Sequence, residues 1–308
     1  MWTEMMPVME QMLTLFLMLA LGWVAGRTGV LSLESDKHLA KLVNCITNPC
    51  NILYSALCSQ RMLTNGEVFQ LLGLYVLLFA LLIALAQLVP GLLRVPREQR
   101  GQYKFMMIFS NVGYMGIPVV AAIFGQEAVF CVSLFIMVFY VFVYTYGIWL
   151  IRGGEGGFSL RRLLSPMMVS SVAGLVLYLC HARVGGVLES TLDSVRRVTT
   201  PCAMMVVGCA LSSVPLRQVF SNFRLYLVAV LKLAAVPLLV YLLFRPLLPN
   251  RMMLGVLVTI AAMPIASNFT ILSAQYDRDQ KLASEAVFIT TLLSVLTIPI
   301  LAALLRLG

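Results

Sequence analysis

Ten stretches of mainly apolar residues, each about 20 residues long, follow one another along this chain. Their approximate bounds are 7–26, 40–59, 68–90, 103–124, 128–151, 164–182, 195–214, 225–244, 252–275 and 284–305. A helix needs roughly 20 apolar residues to cross a hydrocarbon core about 30 Å thick. Because these stretches occupy nearly the whole chain, the sequence predicts a polytopic membrane protein with ten transmembrane helices and little room for a soluble domain.

The composition excludes an ordinary water-soluble fold. Of the 308 residues, 60% are hydrophobic and 11% are charged, whereas soluble domains average about 45–50% apolar and about 25% charged residues. The alternation of apolar and polar residues that is typical of a membrane β-barrel is absent from the sequence. We therefore expect an all-α fold.

The distribution of basic residues predicts the orientation of the chain. The connections that follow odd-numbered spans carry 14 Lys and Arg, whereas the opposite side carries 7. The positive-inside rule therefore places both termini outside. The same excess accounts for the net charge of +9 without a nucleic-acid partner, which would need basic residues clustered on a soluble face. Short connections favour a multi-pass protein of a bacterial inner membrane.

The side chains that catalysis or metal binding would need are scattered or missing from the sequence. Its two histidines, His38 and His181, are far apart, and its seven cysteines form no Cys-x-x-Cys pair. Neither a phosphate-binding loop nor a nucleophile elbow occurs, and the spans contain no Asp. We expect no catalytic residues, no metal and no cofactor, and a protein that is not an enzyme.

Two predicted spans are interrupted near their middle. Both interruptions combine proline with small or amide side chains: Asn111, Gly113, Gly116 and Pro118 in the fourth span, and Pro264, Ser267 and Asn268 in the ninth. Proline removes a backbone donor and clashes with the carbonyl four residues earlier, and glycine weakens a helix further. Such breaks are tolerated in a membrane where they line a cavity or are covered by protein.

The interruptions fall at matching positions of two halves with five spans each. In addition, Thr47-Asn-Pro-Cys50 in the second span resembles Thr199-Thr-Pro-Cys202 in the seventh. An odd number of spans per half gives the two halves opposite orientations. We predict a first five-helix repeat (1–151), a cytoplasmic linker (152–163) and an inverted second repeat (164–308), with a transporter-type binding site at the paired breaks.

The chemistry of the breaks favours an anionic ligand. Where a helix resumes, its first N–H groups are unpaired and carry the positive end of the helix dipole. Pro118 and Pro264 suit the opening turns of two such half-helices, where a missing N–H costs little. The side chains of Asn111 and Asn268 add amide groups that can donate to an anion, or can instead hold the broken backbone together.

Lys232 lies about midway along the eighth predicted span. A lysine at this depth is costly and usually faces a cavity or a partner. It could serve as a counter-charge for an anionic substrate, bond exposed carbonyls near a break, or extend to the membrane interface. The sequence leaves these three roles open.

The segment Asn111-Val-Gly-Tyr-Met-Gly-Ile-Pro118 resembles the auxin efflux carrier family, which includes bacterial carriers and the plant PIN-FORMED proteins. The resemblance covers almost the whole chain. It extends to 201–211 in the seventh span, 232–238 in the eighth, and 262–268 with 274–276 in the ninth. The segment 139–147 is similar to the family's fifth span, although Tyr140 stands where many members carry Asn.

The resemblance implies a ten-helix inverted repeat whose fourth and ninth helices cross at their breaks. It implies a homodimer in which spans one, two, six and seven form a scaffold and the others a moving transport unit. It also implies organic anion substrates such as malonate, malate or auxin. The resemblance adds Asn48, Pro49 and Asn51 of the second span to the residues of the fourth and ninth spans that face the site, although the run 48–51 is more polar than the usual family pattern.

Three classes of function remain open at this point. The leading hypothesis is a secondary carrier that moves a small organic anion across the membrane by elevator-type alternating access. The nearest rival is a sodium-coupled symporter of the bile-acid type, which would need a cage of oxygen ligands. The third is a membrane receptor that binds its ligand without transporting it. In each case the expected partners are a small organic ligand, membrane lipid and a second copy of the chain.

Overall fold

A computed structural model describes residues 2–58, 63–155, 164–214, 222–248 and 250–305 of the chain. Over these ranges the protein is helical, and the backbone pairing of strand type is confined to one isolated antiparallel bridge between Ser110 and Ile265. The predicted all-α fold is therefore confirmed for the described residues.

The helices of the first half precede residue 152. They are α1 (Trp2–Thr28), α2 (Leu33–Leu42), α3 (Asn48–Leu57), α4 (Asn65–Leu92), α5 (Arg100–Ile108), α6 (Ile117–Phe124), α7 (Val129–Phe142) and α8 (Ile148–Ile151). The helices described after residue 163 are α9 (Pro166–Leu179), α10 (Gly186–Arg197), α11 (Thr199–Ser212), α12 (Phe223–Val230), α13 (Val236–Phe244), α14 (Arg251–Ala261), α15 (Asn268–Gln275) and α16 (Gln280–Leu305).

Within the described ranges, five segments are long and apolar enough to cross a membrane. They are Glu10–Thr28, Asn65–Leu92, Gln126–Ile151, Phe223–Phe244 and Gln280–Ala303. Three shorter apolar segments accompany them, at Val112–Phe124, Pro166–Leu179 and Arg251–Ala261. The structure therefore supports a multi-pass helical protein, and the number of ten spans stays a prediction.

Wide π-helical turns connect several helices without ending the span. They occupy Val43–Thr47, Val112–Gly116, Val143–Gly147 and Leu231–Ala235. Three of the four are followed, two residues on, by a proline: Pro49, Pro118 and Pro237. A proline ring would clash with the carbonyl four residues earlier in a regular α-helix, and widening the preceding turn displaces that carbonyl.

Helices α1 and α11 pack with their backbones almost in contact. A Cβ atom added at Gly208 would lie 2.0 Å from the carbonyl oxygen of Leu19, and one added at Gly22 would lie 2.4 Å from that of Met205. Small residues at a helix interface allow this close approach, which is a common source of helix association in membranes.

A second, aromatic region of the core joins α4, α5 and α7. The ring of Phe79 stacks on those of Phe135 and Phe142, and Phe105 contacts both Phe109 and Phe269. These rings surround the point at which α5 ends, so the core supports the first interruption from one side.

Candidate functional site

The two interrupted spans meet at their interruptions. The first break (109–111) separates α5 from the π-helical turn Val112–Gly116, and the second break (262–267) separates α14 from α15. The N–H of Asn111 donates to the carbonyl oxygen of Pro264 at 2.8 Å, and the N–H of Ala266 donates to that of Phe109 at 3.1 Å. Each break thus satisfies backbone groups that the other exposes, which removes much of the cost of non-helical backbone at this depth.

The side chains of Asn111 and Ser267 join the breaks a second time. Asn111 Nδ2 donates to Ser267 Oγ at 2.8 Å, and Asn111 is 3% exposed. These residues were predicted from separate halves of the sequence, and the fold brings them into direct contact. They form the polar centre of the candidate site.

Thr290 of α16 supports the second break and was not predicted. The backbone N–H of Ile265 donates to Thr290 Oγ1 at 3.2 Å, and the hydroxyl itself donates to the carbonyl of Ala286. A threonine within an apolar span usually bonds its own helix, so the sequence contains no sign of this second partner.

The prolines occupy different positions at the two breaks. Pro118 is the second residue of α6, as expected for the opening turn of a half-helix. Pro264 instead lies inside the second break, four residues before α15 begins at Asn268. The expectation that Pro264 opens a half-helix is wrong, and its carbonyl serves as the acceptor for Asn111.

The glycines of the fourth span lie in the π-helical turn beyond the first break. The N–H of Gly116 donates to the carbonyl of Asn111 at 3.0 Å. A Cβ atom at Gly116 would lie 3.0 Å from Val112 Cγ1, whereas one at Gly113 would lie 3.6 Å from the methyl carbon of Met167. A side chain at position 116 would therefore press on Val112, whereas one at position 113 would meet Met167 at ordinary van der Waals distance.

Two asparagines of the second predicted span contact the turn that follows the first break, and a third contacts Gln126 beyond the end of α6. Asn48 Nδ2 donates to the carbonyl of Gly113 at 3.1 Å, Asn44 donates to the hydroxyl of Tyr114, and Asn51 accepts from Gln126. Asn44 and Gln126 were not predicted. The spacing of Asn44, Asn48 and Asn51 puts them on one helix face, and this spacing was the sequence signal that could have identified Asn44.

Two buried amide oxygens near the breaks, Asn48 Oδ1 and Asn268 Oδ1, have no hydrogen-bond partner in the part of the chain that the structure describes. The orientation of the Asn48 amide follows from chemistry, because only its NH₂ group can donate to the Gly113 carbonyl. A buried acceptor without a donor is costly, so both oxygens are suited to accept a hydrogen bond from a ligand.

Met167 of α9 lies among these groups. Its sulfur accepts from the hydroxyl of Tyr140 at 3.4 Å and lies 4.0 Å from Asn48 Nδ2. The thioether is flexible and polarizable, and it forms an apolar wall beside the asparagine face.

Lys232 lies in the π-helical turn Leu231–Ala235 and is fully buried, with 0% exposure. Its Nζ donates to the carbonyl oxygen of Met107 at 2.9 Å. Of the three roles left open by the sequence, this contact fits the bonding of carbonyls near a break. The full burial does not fit a side chain that extends to the interface.

The protein belongs to the class of membrane transport proteins. Its apolar helices, its paired breaks and the buried amides beside them are typical of this class. The sequence matches the family described as membrane transport protein over residues 7–161 and 155–302. The chain therefore belongs to this family, the auxin efflux carrier family that its motifs indicated.

Relatives with similar sequences are named as transporters. An uncharacterized transporter of Methanocaldococcus jannaschii is 23% identical over 302 residues, covering 94% of this chain and 96% of the relative. A protein of Rhizobium meliloti named "Putative malonate transporter" is 27% identical over 215 residues, covering 66% of this chain and 67% of the relative. An uncharacterized transporter of Methanothermobacter thermautotrophicus is 27% identical over 198 residues, covering 63% of this chain and 65% of the relative. Family and names alike indicate a transporter and not an enzyme.

Proposed function

We propose that this membrane transporter is a secondary carrier of a small organic anion, with its substrate site where the two breaks meet. The observation that supports the proposal is the pair of interlocked breaks, joined by backbone bonds and by the Asn111–Ser267 contact. Interrupted segments at corresponding positions of two halves are the sequence feature that best indicates a transporter binding site.

In this proposal, polar side chains bind the substrate and the small and cyclic residues shape the backbone around it. The binding groups are Asn111, Ser267, Asn268, Asn48 and Asn51. The shaping residues are Gly113, Gly116, Pro118 and Pro264. Lys232 lies beside the end of α5, where its Nζ bonds the Met107 carbonyl.

The substrate class follows from the polarity of these groups. Half-helix dipoles and the Asn111 amide favour a carboxylate. The unpartnered oxygens of Asn48 and Asn268 fit a substrate that carries a hydroxyl or protonated carboxyl group as well. A small hydroxy acid or dicarboxylate meets both requirements, and the name of the R. meliloti relative points to the same chemical class.

The proposed mechanism is alternating access by an elevator movement of two inverted five-helix repeats. The tight backbone contact between α1 and α11 supports a rigid scaffold that includes the first and seventh spans. The second span contacts the first break region through Asn48–Gly113 and Asn44–Tyr114. These two contacts would separate when the transport unit moves against the scaffold.

The test combines ligand binding with transport. Thermal shifts of the purified protein are measured with malonate, malate, monocarboxylates and an indole acid, because a ligand that binds only the folded state raises its stability. We expect a shift with at least one small di- or hydroxycarboxylate, and its loss in Asn111→Ala. Gln87→Ala is the matched control, because this exposed α4 amide bonds Tyr146 and Lys104 rather than any of the proposed binding residues.

Flux of the same labelled acid into proteoliposomes then separates a carrier from a receptor, and repeating it without sodium separates the proposal from a sodium symporter. Binding that persists unchanged in Asn111→Ala would contradict the proposed site. Binding without flux would contradict the carrier.

A further inference from the structure

The hydroxyl of Tyr178 makes two hydrogen bonds with one residue of a distant segment. It accepts from the backbone N–H of Leu63 at 3.1 Å and donates to the carbonyl oxygen of the same residue at 2.8 Å. Its ring stacks on that of Phe130, with the ring centroids 3.9 Å apart and the planes 16° from parallel. All three residues are buried. None of them belongs to the substrate site proposed above, so this contact needs a separate explanation.

The contact joins two parts of the molecule that the proposed mechanism moves against each other. Tyr178 lies near the end of α9, in the sixth predicted span and therefore in the proposed scaffold. Phe130 lies in the first turn of α7, in the fifth span, which belongs to the proposed transport unit. Leu63 directly precedes the N-cap residue of α4, which carries the third span of the same unit. Tyr178 thus connects the scaffold to the transport unit at two points.

Leu63 is tied firmly to the transport unit. Thr64 and Glu67 form a capping box at the start of α4, in which the side chain of each accepts from the backbone N–H of the other. The other carboxyl oxygen of Glu67 accepts from the side chain of Asn250, the N-cap residue of α14, at 3.2 Å. A capping box fixes the path by which the chain enters a helix. Leu63 must therefore follow α4 when the unit moves, and its bonds to Tyr178 must then break.

A second contact closes the same end of the molecule. The side chain of Gln126, in the short turn between α6 and α7, donates to Asn51 of the second span. Ala128 of the same turn is 0% exposed. These contacts and those of Tyr178 all lie at the span ends that the basic residues assign to the outside. The outer ends of the scaffold and the transport unit are therefore in contact in this structure.

We propose that Tyr178, with Leu63 and Phe130, is a latch that keeps the outer side of the carrier closed, and that its release opens that side. The inference rests on the proposed function, from which it takes the division into scaffold and transport unit. Opening admits water, which can replace the hydroxyl as the partner of the Leu63 backbone. The net gain of two such replaceable bonds corresponds to about a tenfold preference for the closed state, so the latch can be released reversibly.

Three variants separate the hydroxyl, the stacking and a merely structural role. Tyr178→Phe removes both hydrogen bonds and keeps the ring, whereas Phe130→Leu removes the stacking and keeps the hydroxyl. Tyr75→Phe is the matched control. Tyr75 is 0% exposed and its hydroxyl donates to the Cys131 carbonyl at 3.0 Å, but α4 and α7, which carry these two residues, both belong to the transport unit. The control therefore loses a buried hydroxyl contact without loosening the two parts from each other.

The measurement is the rate at which a water-soluble maleimide alkylates a reporter thiol of the protein in lipid nanodiscs. Leu63→Cys keeps the backbone groups that bond Tyr178 and reports on the latch, and Ala128→Cys reports on the second contact. Serine replaces the four native cysteines that are exposed or partly exposed: Cys45, Cys50, Cys58 and Cys180. The same background without a reporter thiol supplies the blank. No substrate is added, so the result does not depend on which acid binds.

Tyr178→Phe should speed alkylation at both reporter positions by about tenfold, because a rigid-body opening exposes them together. Phe130→Leu should change both rates in the same direction. Tyr75→Phe should leave both rates as they are, although its thermal midpoint should fall because a buried hydroxyl contact is lost.

Three results would overturn the latch. Faster alkylation at residue 63 alone would mean local loosening of the chain without opening of the outer side. Unchanged rates in Tyr178→Phe would mean that the hydroxyl does not hold the two parts together. An equal increase in Tyr75→Phe would mean that any loss of stability exposes the reporters. A lack of flux with every acid tested would instead contradict the proposed function, and this failure is distinguishable because alkylation is measured without substrate.

Discussion

Asn111 uses its backbone and its side chain on different partners. Its N–H donates to Pro264, its carbonyl accepts from Gly116, and its side-chain amide donates to Ser267. The two backbone bonds do not depend on the side chain. A change of side chain at position 111 therefore removes one polar group from the site while the interlocked breaks keep their backbone bonds, which makes this residue suitable for separating binding from folding.

Asp36 of α2 lies before the second predicted span (40–59) and is half-buried against α11. Burial raises the pKa of its carboxyl from 3.8 to about 6, and a hydrogen bond with the side chain of Cys209 lowers it in part. One carboxyl oxygen has no hydrogen-bond donor among the described residues. The ionised form is therefore disfavoured in the folded protein.

We predict that Asp36→Asn raises the thermal midpoint at pH 7.5. Because the folded pKa lies above the unfolded one, the folded state binds the proton more tightly. The stability that this tighter proton binding confers is fully present below about pH 3.8, and it is lost as the pH rises to about 6. Removing the charge should recover about 1 kcal/mol at pH 7.5, less than the whole shift implies because solvent screens a half-exposed group.

The measurement is a pair of thermal melts in detergent, at pH 7.5 and pH 5. The gain should shrink at pH 5, where Asp36 of the folded wild type is largely protonated. Glu34→Gln on the exposed face of the same helix is the control and should change little at either pH. A gain of equal size at both pH values would contradict the assignment to the buried charge.

At the level of secondary-structure elements, two features depart from regular helix packing and geometry: a very close helix–helix contact and π-helical turns that precede prolines. Helices α1 and α11 approach so closely that two glycines are fixed by sterics. Three π-helical turns each precede a proline by two residues. Both features were visible in the sequence only as isolated Gly and Pro residues, whose meaning depends on the neighbouring helix or turn.

The α1–α11 contact predicts a large effect of a single methyl group. In Gly208→Ala the new Cβ would lie 2.0 Å from the Leu19 carbonyl oxygen and 2.7 Å from the Trp23 nitrogen. Because both neighbours are backbone atoms, the helices must move apart, and we expect a loss of about 2–3 kcal/mol.

The matched control is Gly73→Ala in α4, where a Cβ atom would meet nothing within 4 Å. There the higher helix propensity of alanine should leave stability unchanged or raise it by up to about 1 kcal/mol. The readout is the thermal midpoint of each purified variant. Equal midpoints for the two variants would contradict the close backbone contact.

At the level of the whole molecule, the sequence predicted the helical class, the family and both breaks, because apolar length, glycine and proline are local signals. The long-range partners were not predictable. Lys232 bonds a carbonyl 125 residues earlier, and Gln126 bonds Asn51 at a separation of 75. Such contacts depend on how helices from different parts of the chain are arranged, and neither periodicity nor composition encodes that arrangement.

The orientation of the whole molecule is open to a direct test. The excess of basic residues on one side predicts that both termini lie outside. A C-terminal alkaline phosphatase fusion expressed in bacteria should therefore be active, and a C-terminal green fluorescent protein fusion dark. Fusions placed in the linker 152–163 are the control and should behave in the opposite way. A fluorescent C-terminal fusion would contradict the predicted orientation.

The interlocked breaks also set an order of events during synthesis. The acceptor for the Asn111 N–H and the donor for the Phe109 carbonyl lie about 150 residues further along the chain. At a translation rate of roughly 5–20 residues per second, the second break leaves the ribosome about 8–30 s after the first. Throughout that interval the nascent first half lacks its backbone partners, so its fourth span can reach its final conformation only after most of the polypeptide has been made.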